Sequence, residues 1–288
     1  GFLGVDIFFV ISGYLITLLI VKEFLRDKKI SFKNFYFRRA KRILPALLFM
    51  ISVSIFFAWI YLTPDNFIQY SNSIISSIFF YSNYFFYFED LVYNSNDSLL
   101  KPLLHTWSLA VEEQFYIIFP LLLIPIYKMN EKIFIYFLII LILVSLYVFF
   151  MNPKIYLNYK FDLINRISLI GIGNYYLPFS RFWEIFCGCI ISIVFFKKYK
   201  SSNIISTLSF CIIFLVIIFY NENFLGRKIS TLLIILFTSS LIIFCNNTYI
   251  YKILSNKILV NIGLISYSLY LVLYPVISYS YIFFAELN

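Results

Sequence analysis

Ionised side chains are scarce in this chain. Asp, Glu, Lys and Arg make up 13% of its 288 residues, against 62% hydrophobic residues and a mean hydropathy of +0.88. No water-soluble core hides that much apolar surface in ordinary proportions, so soluble enzymes and soluble binding modules are excluded and the chain reads as a membrane protein. Cysteine is sparse too. Cys187, Cys189, Cys211 and Cys245 all fall inside apolar runs, which makes them core or lipid-facing thiols and indicates neither a disulfide framework nor a metal site. Tryptophan occurs 3 times, although 36 Phe and 25 Tyr bring the aromatic share to 22%. Many Tyr flank the apolar windows, as suits the headgroup layer, and an A+T-rich genome accounts for much of the rest. With one histidine, His105, no Ser-His-Asp nucleophile set is recognisable. Linkers and low-complexity tracts are absent as well, and the polar connections at 89–106 and 151–180 are too short to fold alone, so residues 1–288 read as one membrane domain.

What the chain has instead is long apolar windows, at about 5–21, 43–62, 73–88, 107–127, 132–150, 181–196, 204–220, 230–246 and 258–281. They predict an all-α polytopic bundle of roughly nine transmembrane helices. Runs such as IFIYFLIILILVSLYVFF are continuously apolar, which excludes a barrel of alternating strands. The 73–88 window is short and is either spanning or re-entrant. If it spans, the acidic 89–106 loop is cytoplasmic and the KKYK run at 197–200 falls outside; if it is re-entrant, the KKYK run returns to the cytoplasm and residues 105–113 move to the outer side.

The net charge of +9 is concentrated rather than spread. Residues 22–42 hold nine cations (Lys22, Arg26, Lys28, Lys29, Lys33, Arg38, Arg39, Lys41, Arg42) against Glu23 and Asp27. The positive-inside rule places this stretch in the cytoplasm, and an anionic leaflet attracts such residues at about 1 kcal/mol each. Nucleic acid is excluded as a partner, since no soluble nucleic-acid motif is present; membrane lipids are the partner the cluster needs first.

Four groups of residues stand out within this frame. Arg39 and Arg42 are three apart on one helical face, where two guanidinium forks either grip a phosphate bidentately or anchor the chain at the membrane surface. Pro45 is expected at the first turn of the helix that follows. Ser12 and Gly13 sit in mid-helix, where small residues favour close helix packing, with Asp6 at the membrane edge. Arg181 and Glu184, also i, i+3, read as a structural ion pair. In HTWSLAVEEQFY, adjacent Glu112 and Glu113 lie in an apolar helix where an ionised carboxylate costs roughly 2.5 to 3.5 kcal/mol to insert. Glu112 shares a face with Ser108 and Tyr116, while Glu113 is turned about 100° away. The pair either does chemistry or exploits the dipole of a helix amino terminus.

The order GFLGVDIFFVISGYLI, FYFRRAKRILPALL, PLLHTWSLAVEEQFY, PFSRFWEIFCG and ISYSLYLVLYPVI resembles the acyltransferase 3 family of integral-membrane acyltransferases over the whole chain. Within it, the branch of bacterial O-acetylases that decorate lipopolysaccharide or peptidoglycan is most similar. The resemblance implies a ten-helix membrane domain in the bacterial inner membrane that takes acyl-CoA, most often acetyl-CoA, from the cytoplasm, needs no metal, and acylates a surface glycan or lipid-linked sugar. Arg39 and Arg42 match the family's RxxR expected to meet the CoA phosphates. Ser12 and Gly13 match FFxxSG, and Glu112 and Tyr116 match WxLxVExxxY, which makes Glu112 the expected catalytic residue. Glu113, His105, Arg181 and Glu184 are expected to shape the site. Two departures follow from the same resemblance. The family's Arg-x10-His helix lies upstream of Gly1, so residues 1–288 alone are expected to lack the catalytic base and to be inactive. Leu273 stands where the final block commonly carries histidine. A polytopic transporter or flippase is the competing reading, since bent helices and intramembrane charges suit it equally, although no inverted repeat is visible.

Overall fold

The computed structural model describes residues 2–93, 98–150, 175–195, 200–220 and 226–286. Among these, eleven α-helices and two short 3-10 turns appear and no strand. The helices are α1 (Phe2–Asp27), α2 (Phe32–Tyr61), α3 (Pro64–Ile78), α4 (Ser82–Tyr93), α5 (Thr106–Met129), α6 (Glu131–Phe150), α7 (Phe182–Phe195), α8 (Asn203–Ile218), α9 (Arg227–Phe244), α10 (Tyr249–Leu254) and α11 (Lys257–Glu286). Among the described residues five are long and apolar enough to cross a membrane: α1, α2, α6, α9 and α11. Large apolar side chains such as Phe49, Trp59, Ile140 and Leu143 remain exposed on them, which only a lipid surround makes tolerable. The chain is an all-α polytopic membrane protein.

The described residues form two compact units. The first comprises Gly1–Lys29 and Phe115–Leu259, the second Ile30–Gln114 and Val260–Asn288. In the first, α1 packs along α7 and α9, and α7 also meets α6. Close contact is possible because glycines lie on both sides: a Cβ on Gly13 would run into the Ile185 carbonyl, and one on Gly188 into the Val10 carbonyl. Val10, Phe149, Trp183, Ile191 and Ile235 fill the core beside them.

In the second unit the 73–88 window is not one helix. Helix α3 starts at the cap Thr63 with Pro64 in its first turn, and α4 returns after a reversal at Phe79–Tyr81, where Phe80 takes a positive φ of 55°. At 1.5 Å per residue the two arms are about 22 and 18 Å long, each short of a bilayer's roughly 30 Å core. Buried serines hold the polar groups of α3: Ser73, Ser76 and Ser77 donate to carbonyls three or four residues back at 2.6–2.9 Å. Gln114 of α5 reaches the tip, its Nε2 donating to the Phe80 carbonyl at 2.8 Å and to Asn83 Oδ1 at 2.9 Å.

Two local expectations are corrected. The basic stretch 22–42 is almost wholly helical, with only residues 28–31 between α1 and α2, and Ser31 caps α2 by accepting from the Asn34 amide. Pro45 therefore lies well inside α2 rather than in its first turn. Its ring forfeits the bond to the Lys41 carbonyl, which belongs to an exposed residue at the basic end.

Candidate active site

Helices α2, α5 and α11 of the second unit gather the charged and phenolic groups. Arg39 is half-buried, with its guanidinium 6.0 Å from the Phe35 ring, and lies close enough to Glu113 to act on it electrostatically. Arg42, one turn further, is exposed. Glu112 and Glu113 are 3% and 9% exposed, so both carboxylates leave water although they point to different faces of α5. Tyr267 of α11 feels the charges of Glu113, Glu112 and Arg42, and its hydroxyl donates to the Ile43 carbonyl at 3.1 Å. A phenol within electrostatic range of two acids and an arginine has the chemistry to donate to a developing oxyanion, a role fitted to acyl transfer.

The same face of α11 extends towards His105. Tyr270 Oη donates to the His105 carbonyl at 2.7 Å and lies 2.6 Å from Ser108 Oγ. The buried imidazole of His105 meets the Tyr270 ring edge-on at 5.4 Å and the Tyr274 ring at 5.5 Å. Tyr267, Tyr270 and Tyr274 recur at i, i+3, i+7, and that helical spacing within ISYSLYLVLYP was the signal by which sequence reasoning, which singled out only Leu273 there, could have found them. Tyr116 is buried one turn beyond Glu112 on α5.

The first unit holds a separate buried network. Arg181 is 1% exposed; its Nη1 bonds Glu184 Oε1 at 2.6 Å and Asp6 Oδ1 at 3.2 Å. Thr231 Oγ1 donates to Asp6 Oδ2 at 2.9 Å, and Arg181 Nε to the Tyr175 carbonyl at 3.3 Å. The Tyr175 ring takes the Arg181 guanidinium at 4.0 Å and that of Arg227 at 3.4 Å. Burial raises the Tyr175 phenol above its ordinary range, against the opposing pull of Arg181 and Arg227, so the ring stays neutral between two cations. Two acids and two arginines balance here, as buried charges must. Ser12 and Gly13 are buried on α1, each about two turns from Asp6, at the close contact with α7. Thus Arg39, Arg42, Glu112, Glu113 and His105 fall in one unit, and Ser12, Gly13, Tyr116, Arg181 and Glu184 in the other.

With that geometry in view, comparison with known proteins is informative. The O-acetyltransferase OatA of Staphylococcus aureus (strain NCTC 8325 / PS 47) is 34% identical over 299 residues, covering 96% of this chain and 46% of the relative. A Staphylococcus aureus (strain COL) protein, SACOL0978, named only provisionally as an O-acetyltransferase, is 35% identical over 306 residues, 99% of this chain and 48% of the relative. The chain thus spans about half the length of the curated relatives it matches. No solved structure matches it. The family model described as an acyltransferase domain matches residues 1–288, end to end. The chain belongs to the acyltransferase 3 family.

Proposed function

We propose that the full-length protein is an O-acyltransferase of the bacterial cytoplasmic membrane. It moves an acyl group, acetyl in the first instance, from acyl-CoA to a hydroxyl of a cell-surface glycan such as lipopolysaccharide O-antigen, capsule or peptidoglycan. The observation that carries this reading is that one unit brings Arg42, Glu112 and Glu113 within electrostatic range of Tyr267, with Arg39 acting in turn on Glu113. Arg42, exposed at the basic end of α2, and Arg39 behind it take the phosphates of CoA by charge-assisted bonds.

In the reaction the acceptor oxygen attacks the thioester carbonyl, a C–O bond forms, the C–S bond breaks, and the hydroxyl proton ends on the departing thiolate. Glu112 binds or orients the acceptor hydroxyl, or the base that serves it, and Tyr267 donates towards the tetrahedral oxyanion. Arg181, Glu184, Ser12 and Gly13 hold the first unit's helices in register, with His105 and Tyr116 packing along α5. Transfer is direct, without an acyl-enzyme.

The test is radiolabelled acetyl transfer from acetyl-CoA to surface glycan in membranes containing the full-length protein. Label in glycan that depends on Arg39 and Arg42 supports the reading. Glycan moved across the bilayer without label would give the protein to the transporters instead.

A further inference from the structure

The second unit holds a cavity that none of the candidate site residues lines. It has a volume of about 340 Å³, and Asn66, Gln69, Tyr70, Phe85, Glu89 and Lys101 are among the residues that line it. That size suits a small ligand rather than a long polymer. From the chemistry of its wall we infer that it is a carbohydrate subsite, which takes a short, uncharged segment of the acceptor glycan; the inference rests on the acyltransferase reading above.

Asn66, Gln69, Tyr70 and Ser73 lie at i, i+3, i+4 and i+7, so α3 turns one face to the cavity. Among the described residues no hydrogen bond engages the side-chain amide of Asn66 or Gln69, and each amide both donates and accepts, as a sugar hydroxyl does. On the facing wall Lys101 Nζ approaches Glu89 Oε2 at 3.1 Å with both side chains largely buried. The pair cancels its own charge, so the wall offers no net attraction to a phosphate or to a metal ion. Phe85, half-buried, supplies ring surface for the apolar face of a pyranose, with Phe86 and Tyr70 packed behind the wall. Tyr70 is anchored from behind, its hydroxyl donating to Ser54 Oγ at 2.7 Å. A lipid chain would leave the amides and the ion pair unsolvated, which weighs against an apolar occupant.

Position agrees with chemistry. From Arg39 to Tyr61 helix α2 rises by about 33 Å, a bilayer's width, and α3 begins two residues after it. Because α4 turns back from α3, Asn66 and Glu89 line one cavity. With the basic end of α2 in the cytoplasm, the cavity lies at the opposite face, where surface glycans are. Pro102 closes it on the side that leads to His105.

The experiment is saturation-transfer NMR on the detergent-solubilised full-length protein with three neutral disaccharides as probes: maltose, lactose and N,N′-diacetylchitobiose. At least one should receive saturation on its ring protons, and Asn66→Ala/Gln69→Ala should weaken its binding about tenfold, the loss of two neutral hydrogen bonds. Asn66 is exposed and Gln69 half-exposed, so the fold should survive; Asn66→Ala alone, expected to show about half of the effect on a logarithmic scale, guards against loss of the double variant. No saturation with any of the three probes, or equal binding by both variants and the wild type, would overturn the inference. In the transfer assay the double variant should raise KM for glycan and leave KM for acetyl-CoA unchanged. An unchanged glycan KM in an active enzyme would sink the subsite alone, whereas sugar binding at this cavity in a protein without acetyl transfer would sink the enzymatic reading alone.

Discussion

Arg181 Nη1 lies 3.2 Å from Asp6 Oδ1, joining residues 175 positions apart, while the same nitrogen holds Glu184 at 2.6 Å. All three side chains are at most 1% exposed, so neither acid finds water if the arginine goes. Arg181→Leu should therefore cost about 3–5 kcal/mol, the price of stranding buried charge, and appear as a large fall in thermal unfolding temperature in detergent. Glu184→Gln, which keeps a hydrogen-bond acceptor and leaves Asp6 to pair with Arg181, should cost distinctly less. Equal losses in both variants would show that Arg181 matters for packing rather than for charge.

Gly13→Ala should destabilise the first unit by about 1–3 kcal/mol, since its Cβ meets the Ile185 main chain. Gly4 lies on the same helix with nothing within 4 Å of its would-be Cβ, and Gly4→Ala should be neutral or stabilise by up to about 1 kcal/mol through helix propensity. Thermal unfolding of the two variants side by side checks the contrast, and similar melting temperatures would contradict it.

Arg39→Gln/Arg42→Gln should weaken acetyl-CoA binding about tenfold or more at low salt, and flatten its dependence on ionic strength. Titration of acetyl-CoA at two salt concentrations reads both effects. Unchanged affinity at low salt would place the CoA phosphates elsewhere.

Glu112→Gln should lower kcat/KM for transfer by about 100-fold, and Glu113→Gln by less than about tenfold, at comparable expression. The amide keeps size and removes charge. Since Arg39 acts on Glu113, the second change should register chiefly as altered acetyl-CoA affinity. A reversed order of damage would move the chemistry to Glu113.

The apolar helices were legible because their runs are long and uninterrupted; the windows at 132–150 and 204–220 reappear as α6, long enough to span, and the shorter α8, within two residues at either end. The α3–α4 reversal was not, because Phe79, Phe80 and Tyr81 carry no Gly or Pro and are as apolar as the arms they divide. Pro45 misled for a different reason: a proline inside a helix leaves one carbonyl without its donor, and here that carbonyl belongs to exposed Lys41 rather than to a buried residue. At the site, i, i+3 and i, i+4 spacing showed which residues share a helix face, hence the arginine pair and the Arg181–Glu184 bond. It had no way to show which helices face one another. The partnership of Asp6 with Arg181 and the place of Tyr267 among the acids are both long-range facts. A charge isolated within an apolar window announces only that a partner exists.

The paired glycines of α1 and α7 restrict what a genetic screen can return. A clash between two side chains is relieved by trimming either one, so damage at one locus is commonly suppressed at another. Here the atoms nearest to a methyl group at position 13 or 188 are main-chain ones, the Ile185 and Val10 carbonyls and the Tyr14 amide nitrogen, which no codon change removes; trimming Ile185 would relieve only the looser contact with its Cγ2. Suppressors of Gly13→Ala should therefore be true revertants at codon 13, and second-site rescue through residue 185 should not be recovered.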